Sequence, residues 1–300
     1  MSSDSLWRRL TRGSRRLWQQ PDWSHFAGDG WAERIMAVAV TDRFHAKQGR
    51  STGRLILETD GQRRAFYLKR HYRPARWRGI LAALWPDAGW SPALAEWRHL
   101  QWAHKQGLAV PSAAAAGEYL GPWGQLRSFL AIEELKDMIP LHEAIPAARQ
   151  RLDPRIFRLW KRTLAEELAR LARALHDSHR FHKDLYLCHF FIPAASVHSL
   201  CDWQGRVHLI DLHRLARHRW TWLVWLVKDL GQLLYSSEIV GVDARDRLHF
   251  WRAYLGSKRR TGLGRWLRRL ILFKWQRYRR HNSRTKARRA LGGGREEMAA

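Results

Sequence analysis

The segment 181-FHKDLYLCHFFI-192 sets two histidines, a lysine and an aspartate inside a run that is otherwise apolar and aromatic. Such a run is ready to be buried, and a charge within it needs a partner or a task, because burying an unpaired ionised group is costly. The flanks differ in texture. Upstream, Leu164, Leu168, Leu171 and Leu175 recur at helical spacing. They predict a long helix that starts near Asp153-Pro154, buries one stripe, and ends around Asp177-Ser178-His179. Downstream, 199-SLCDWQGRVHLIDLHRL-215 reads as strand, Asp-Trp-Gln-Gly turn and strand, with Val207, Leu209 and Asp211 alternating at period two. Asp184 is therefore expected on a loop between a helix and a strand.

The N-terminal half has a different character. The runs 54-RLILET-59 and 62-QRRAFYLKRH-71 are joined by Asp60-Gly61, a strong short-range hairpin signal. Before them, 47-KQGRSTG-53 reads as a polar loop. Gly49 and Gly53 would let its backbone approach a ligand and turn N–H groups toward phosphate, but no strict P-loop spacing is present and by itself the stretch reads more readily as a plain turn. A helix follows, with Ser91 as N-cap, Pro92 at its first position and Gly107 past its end. Glu96 lies one turn inside it, where a glutamate usually faces water. The stretch 128-SFLAIEEL-135 reads as an apolar strand ending in acidic residues, and Glu134 there is a candidate nucleotide contact.

Strands gathered before helices suggest an α+β protein of two lobes: a β-rich N-lobe over 31–135 and a mainly helical C-lobe over 136–276. A basic N-terminal segment, 1–30, and a basic tail, 277–300, whose terminal piece 291-LGGGREEMAA-300 is expected to fray, would flank them. In the first twenty residues Leu6, Trp7, Leu10, Leu17 and Trp18 would share one helical face among arginines. That is either an interfacial basic helix or an ordinary surface helix packed by its tryptophans.

Composition narrows the partners. The chain has 300 residues, 54 Lys+Arg against 27 Asp+Glu, and a formal charge of +27, a field that attracts an anionic partner. Nucleic acid, anionic lipid or a phosphorylated substrate would each answer it. The basic tail carries no nucleic-acid recognition motif or zinc spacing, so nucleic acid is not favoured and attraction to an anionic membrane is the better use of its charge. The two cysteines, Cys188 and Cys201, form no CxxC pair, which fits a reduced compartment. The longest apolar run, 220-WTWLVWLV-227, is too short to cross a bilayer, and the N-terminus lacks the apolar stretch of a secretory signal. That run either packs into the core or forms a membrane- or acceptor-facing surface.

Four residues in chain order carry chemistry: Lys69 late in a strand, Glu96 on the next helix, Asp184 after the long helix, and Asp211 at a strand end. Phosphoryl transfer from ATP needs such parts: a lysine on the phosphates, a glutamate to hold it, an aspartate to take the hydroxyl proton, and an aspartate for Mg²⁺. The order is that of the protein-kinase-like fold. His182-Lys183-Asp184 stands where His-Arg-Asp would stand, His189 where the metal-ligating Asn would be, and Ile210-Asp211-Leu212 where Asp-Phe-Gly would begin.

The set HKDLYLCHFFI, LIDLHR, 228-KDLGQLLYSS-237 and 247-RLHFWRAYLG-256, with Phe66 to Lys69 and the Glu96-Trp97 pair, resembles the lipopolysaccharide kinase family and its core heptose kinases, over about residues 15–256. The resemblance implies ATP- and Mg²⁺-dependent phosphorylation of a heptose hydroxyl in the lipopolysaccharide inner core. It places that work in the cytoplasm, peripheral to the cytoplasmic face of the inner membrane, on a lipid-anchored core oligosaccharide. It implies Asp184 as catalytic base, and Lys69 on the ATP phosphates with Glu96 as its partner; Lys183 beside that base, and Gly49, Gly53 and Glu134 around the nucleotide, complete the candidate site. Asp211 would be the Mg²⁺ ligand, with His189 either a metal contact or a structural histidine, and Asp229 would brace the catalytic loop. Lys183 departs from the usual Arg, and Phe and Gly are missing after Asp211. These departures keep a second reading open: a membrane-associated pseudokinase scaffold without catalysis.

Overall fold

The turn at Asp60-Gly61 forms as expected. Both residues take positive φ, 51° and 71°, which lets a two-residue loop follow the right-handed twist of the strands it joins. The computed structural model describes the backbone of residues 6–47, 49–85, 90–256 and 262–296, and the side chains of 7–40, 49–85, 90–256, 262 and 264–283. It divides into two compact units, Met1–Lys136 with Asp211–His213, and Asp137–Ile210 with Arg214–Ala300.

In chain order the first unit holds α1 (Leu6–Arg12), β1 (Ser14–Gln19), α2 (Trp23–Ala27), α3 (Trp31–Arg34), β2 (Thr41–Lys47), β3 (Arg50–Thr59), β4 (Gln62–His71), α4 (Arg76–Leu84), α5 (Pro92–Lys105), β5 (Ala113–Gly121) and β6 (Gln125–Glu133). The strands make one sheet in the order β1-β5-β6-β4-β3-β2. Its core is aromatic: Trp23 meets Phe66 edge-on at 5.1 Å, and Trp31 meets Phe129 at 5.7 Å. α5 starts where its sequence says, with the Ser91 hydroxyl accepting from Leu94 N–H at 3.3 Å and Pro92 in its first turn. It ends before Gly107, at φ 68°.

The second unit holds β7 (Met138–Pro140), α6 (Leu141–Arg151), α7 (Pro154–Asp177), β8 (Arg180–Phe181), β9 (Phe190–Pro193), β10 (His208–Leu209), β11 (Ala216–Arg217), α8 (Trp222–Ser236), α9 (Ala244–Leu255) and α10 (Gly262–Glu296). α7 is the expected long helix. Asp153 caps it, and Leu164, Leu168, Leu171 and Leu175 are all buried. Small ladders β10-β9-β7 and β11-β8 hold the loops between the helices.

Several expectations change. The N-terminal helix stops at Arg12, because Gly13 turns at φ 82°. Leu17 and Trp18 then lie on β1, paired with Gly117 and Ala116 of β5, so Ser14–Gln19 belongs to the sheet of the first unit. The loop 47–53 shrinks to a tight connection around Gly49 (φ 78°), and Gly53 lies inside β3 opposite Leu68. The strand partner of β10 is Phe190–Pro193, not Ser199–Cys201: Leu209 and Phe190 are both fully buried and pair directly. Asp211–His213 groups with the first unit, held there by His99 Nδ1 on the Leu212 carbonyl at 2.9 Å. The basic tail continues α10 as far as Glu296, and the last residues of the piece expected to fray lie outside the described ones. The run 220–227 does not fill the core: Trp220 is 97% exposed, Trp222 and Val224 are exposed, and Leu226 alone within it is buried.

Candidate active site

The first cluster grows from β4. Alternation along that strand buries Phe66 and Leu68, and turns Lys69 to the other face. Its Nζ lies 2.6 Å from Glu96 Oε1 and 3.3 Å from Asp211 Oδ1. Glu96 is buried within α5, against the ordinary expectation for a helix glutamate, because it has this cation to meet. Burial opposes the charge on Lys69, but the two carboxylates outweigh it and hold the ammonium above its usual pKa. Asp211 has φ 62°, and its Oδ1 also takes His213 Nδ1 at 2.7 Å. Two residues along the strand, His71 is pushed down to about 4 by burial and by Arg50, Lys69 and other neighbouring cations. It is therefore neutral near pH 7.

Gly49 accepts from Tyr72 N–H at 2.7 Å, and Gly53 sits in the ladder beside the Thr52–Lys69 pair. Glu134 is engaged elsewhere: both its oxygens accept from Arg54, at 2.8 and 2.6 Å, which ties the end of β6 to β3. That bidentate pair gives its carboxylate a structural job at the end of the strand.

The second cluster is the loop that opened the sequence reading. Asp229, fully buried on α8, accepts from the backbone N–H of His182 and of Lys183, each at 2.8 Å. This is the bracing geometry that the KDL motif suggested. It supports Lys183 at φ 68°, a conformation that a non-glycine residue adopts only under constraint. One and two turns along α8, Gln232 and Ser236 accept from Leu185 N–H (3.3 Å) and Leu187 N–H (3.0 Å), so a single helix face holds the loop. His182 is fully buried, with Nε2 3.0 Å from the Ile210 carbonyl. His189 Nδ1 lies 2.6 Å from the Asp184 carbonyl. A carbonyl only accepts, so Nδ1 carries the proton, and His189 closes the loop on itself.

Asp184 Oδ2 accepts from Arg214 at 2.7 Å, and Oδ1 faces Gln232 Nε2 at 3.5 Å. Lys183 Nζ stands over the Trp225 ring, 4.4 Å from its centroid. Burial, and then the charge of Arg214, push its ammonium below the usual value. Arg214, Gln232 and Trp225 were not singled out from the sequence. The available signal was spacing: Gln232 follows Asp229 by one helical turn, on the same face. Among the described residues no three His, Cys, Asp or Glu side chains gather as a metal cage.

A strand-rich unit with a buried Lys–Glu pair, followed by a helical unit whose aspartate loop is braced from a helix, defines a phosphotransferase of the protein-kinase-like class. The comparisons place it more narrowly. Residues 41–254 match the lipopolysaccharide kinase (Kdo/WaaP) family, and the chain belongs to that family. It is 34% identical over 206 residues to the lipopolysaccharide core heptose(I) kinase WaaP of Pseudomonas aeruginosa, covering 67% of this chain and 74% of the relative. It is 30% identical over 129 residues to the protein of that name from Escherichia coli K12, covering 43% of this chain and about half, 47%, of that relative. A solved structure of WaaP in complex with acyl carrier protein superposes with a TM-score of 0.64 at 27% identity, over 87% of this chain and 99% of that one.

Proposed function

We propose that this protein transfers the γ-phosphoryl group of ATP to a heptose hydroxyl of the lipopolysaccharide inner core. The observation that carries the reading is the Lys69–Glu96–Asp211 cluster, in which a cation is held by two carboxylates of which one, Asp211, is partly open to solvent. Mg²⁺ is typically held by one or two carboxylates plus substrate phosphates, not by a dedicated cage, and this donor set fits that habit. Asp211 would hold the ion, which when bound neutralises phosphate charge. Lys69, fixed by Glu96, would hold the phosphate oxygens, and the backbone around Gly49 would cover them. His189 offers a ring nitrogen, a softer donor than Mg²⁺ prefers, so we assign it to loop shape.

Asp184 would accept the proton of the attacking hydroxyl, with Arg214 and Gln232 fixing its carboxylate. Lys183 and Lys228, both over the Trp225 ring, would supply positive charge near that hydroxyl. Catalysis of this kind is positioning plus charge stabilisation. The acceptor is lipid-linked, so we place the protein at the cytoplasmic face of the inner membrane. No described helix is long and apolar enough to cross a membrane.

Asp184→Ala should abolish phosphate transfer to delipidated core while leaving the circular dichroism spectrum unchanged. Transfer at the normal rate by that variant would sink the assignment.

The solved WaaP complex also suggests a protein partner. The second unit has an apolar cavity of about 310 Å³, lined by Leu164, Leu168, Leu230, Leu233, Phe250 and Trp251 among others. We propose that a carrier protein docks this chain too, with the apolar cargo of the carrier in that cavity.

A further inference from the structure

Among the described residues, the first unit has an apolar face left exposed to solvent. For a surface helix, α4 is inside out. Gly79, Ala82 and Ala83 face inward and are buried, the two alanines in a cluster with Leu120 and Leu126. Trp77, Ile80, Leu84 and Trp85 face water. The small inner residues let α4 lie on the β5–β6 turn so closely that a Cβ on Gly79 would stand 2.1 Å from the Gly124 carbonyl oxygen.

That turn adds exposed Trp123, and α1 adds exposed Trp7, edge-on to Trp123 with ring centroids 6.4 Å apart. Arg9 Nε donates to the Ala83 carbonyl at 2.9 Å and fastens α1 to α4. Four tryptophans, each more than half exposed, thus project from α1, α4 and the β5–β6 turn, which pack on one another. Apolar patches of this kind on a monomer mark a docking surface.

Charge identifies what docks. Segments 6–13, 73–85 and 121–127 contain seven arginines and no Asp or Glu. Arg8, Arg12, Arg73, Arg76 and Arg127 are exposed. A second copy is disfavoured, because two such faces would set arginine against arginine with no carboxylate between them. Tryptophan belongs at the headgroup level of a bilayer, and arginine can bury its stem there while its head meets lipid phosphate.

We infer that this face, formed by α1, α4 and the β5–β6 turn, seats the protein on an anionic phospholipid surface. The inference depends on the proposed lipid-linked acceptor only for its purpose. Lipid binding is read without ATP or acceptor, so either idea can fail alone.

The test is co-sedimentation of the full chain with vesicles of equal parts phosphatidylethanolamine and phosphatidylglycerol. Wild type should sediment. Trp77→Ser with Trp123→Ser should lower partitioning at least about tenfold, while transfer to delipidated core and the far-ultraviolet spectrum stay unchanged. Arg73→Glu with Arg76→Glu should cost about twenty-fold or more on these vesicles and little on phosphatidylcholine alone. Wild-type protein that stays in the supernatant, or full partitioning by both variants, overturns the inference. Loss of binding to purified acyl carrier protein with vesicle binding intact also overturns it, and assigns the face to a protein instead.

Discussion

Glu96 and Asp229 are both almost wholly buried carboxylates, one in each unit, and they are satisfied in different ways. Glu96 meets a cation: Lys69 Nζ is 2.6 Å away, and Asp211 shares it at 3.3 Å. Asp229 meets the backbone: two N–H groups of the 182–183 loop point at it from 2.8 Å, with His176 Nε2 at 3.5 Å. The difference decides which of the two can be exchanged. A salt bridge can be exchanged, because phosphate oxygens can replace a carboxylate on the lysine. A carboxylate wrapped in main-chain donors cannot be exchanged without unmaking the loop. The first unit therefore pairs its buried carboxylate with a charge, which on the proposed reading meets a ligand, and the second uses its own to hold the shape of a loop.

The largest effect should come from breaking the second arrangement. Asp229→Ala would leave two buried N–H groups without their acceptor and cost about 2–5 kcal/mol in urea unfolding, with activity lost as the loop relaxes. Equal tolerance of this change and of Glu96→Ala would erase the distinction drawn above.

Glu96→Gln should be milder, about 1–3 kcal/mol, because Asp211 still faces Lys69. It should raise the KM for ATP more than it lowers stability. Its signature is in alkali. The raised pKa of Lys69 gives stability that is fully present below its ordinary 10.5 and lost as pH climbs through the higher folded value. Glu96→Gln should move that alkaline limb to lower pH, which a series of thermal melts would read.

Ser91→Ala removes the cap of the helix that carries Glu96. About 1 kcal/mol is expected in chemical unfolding, with a slight loosening of ATP binding.

The smallest effect should be at His71, which shares the strand with Lys69 but, among the described residues, feels only burial and neighbouring cations. Its lowered pKa means that its neutral form contributes stability present above pH 6.5 and lost as pH falls toward about 4. His71→Gln should flatten that part of the acid limb. An unchanged profile would mean that water reaches the ring.

Much of this was legible because it is local. A turn at Asp60-Gly61, a cap at Ser91-Pro92 and a leucine stripe from Leu164 to Leu175 depend on neighbours a few residues away, and each stands where the sequence put it. The motif around Asp184 was legible because the order of Lys, Glu, Asp and Asp along the chain is itself a constraint. What failed was pairing over distance. Leu17 and Trp18 could extend a helix by periodicity, but Gly13 ends it, and β5 offers a ladder that a short basic helix cannot match. Nor could the sequence show that Glu134, at a strand end, gives both its oxygens to Arg54, eighty positions earlier. The run at 220–227 had the composition of core, yet α8 turns only part of it inward.

By itself the sequence determined the class of chemistry, the helix and hairpin boundaries near the site, and the identity of the aspartate on the loop, since these follow from spacing and local propensity. Tertiary structure alone decided which carboxylate meets a cation and which meets the backbone, and that a face of tryptophans is left in water. The physical reason is that burial and charge pairing belong to residues far apart in the chain. No window of sequence records which of its polar groups will find a partner there, nor which of its apolar ones will be left without cover.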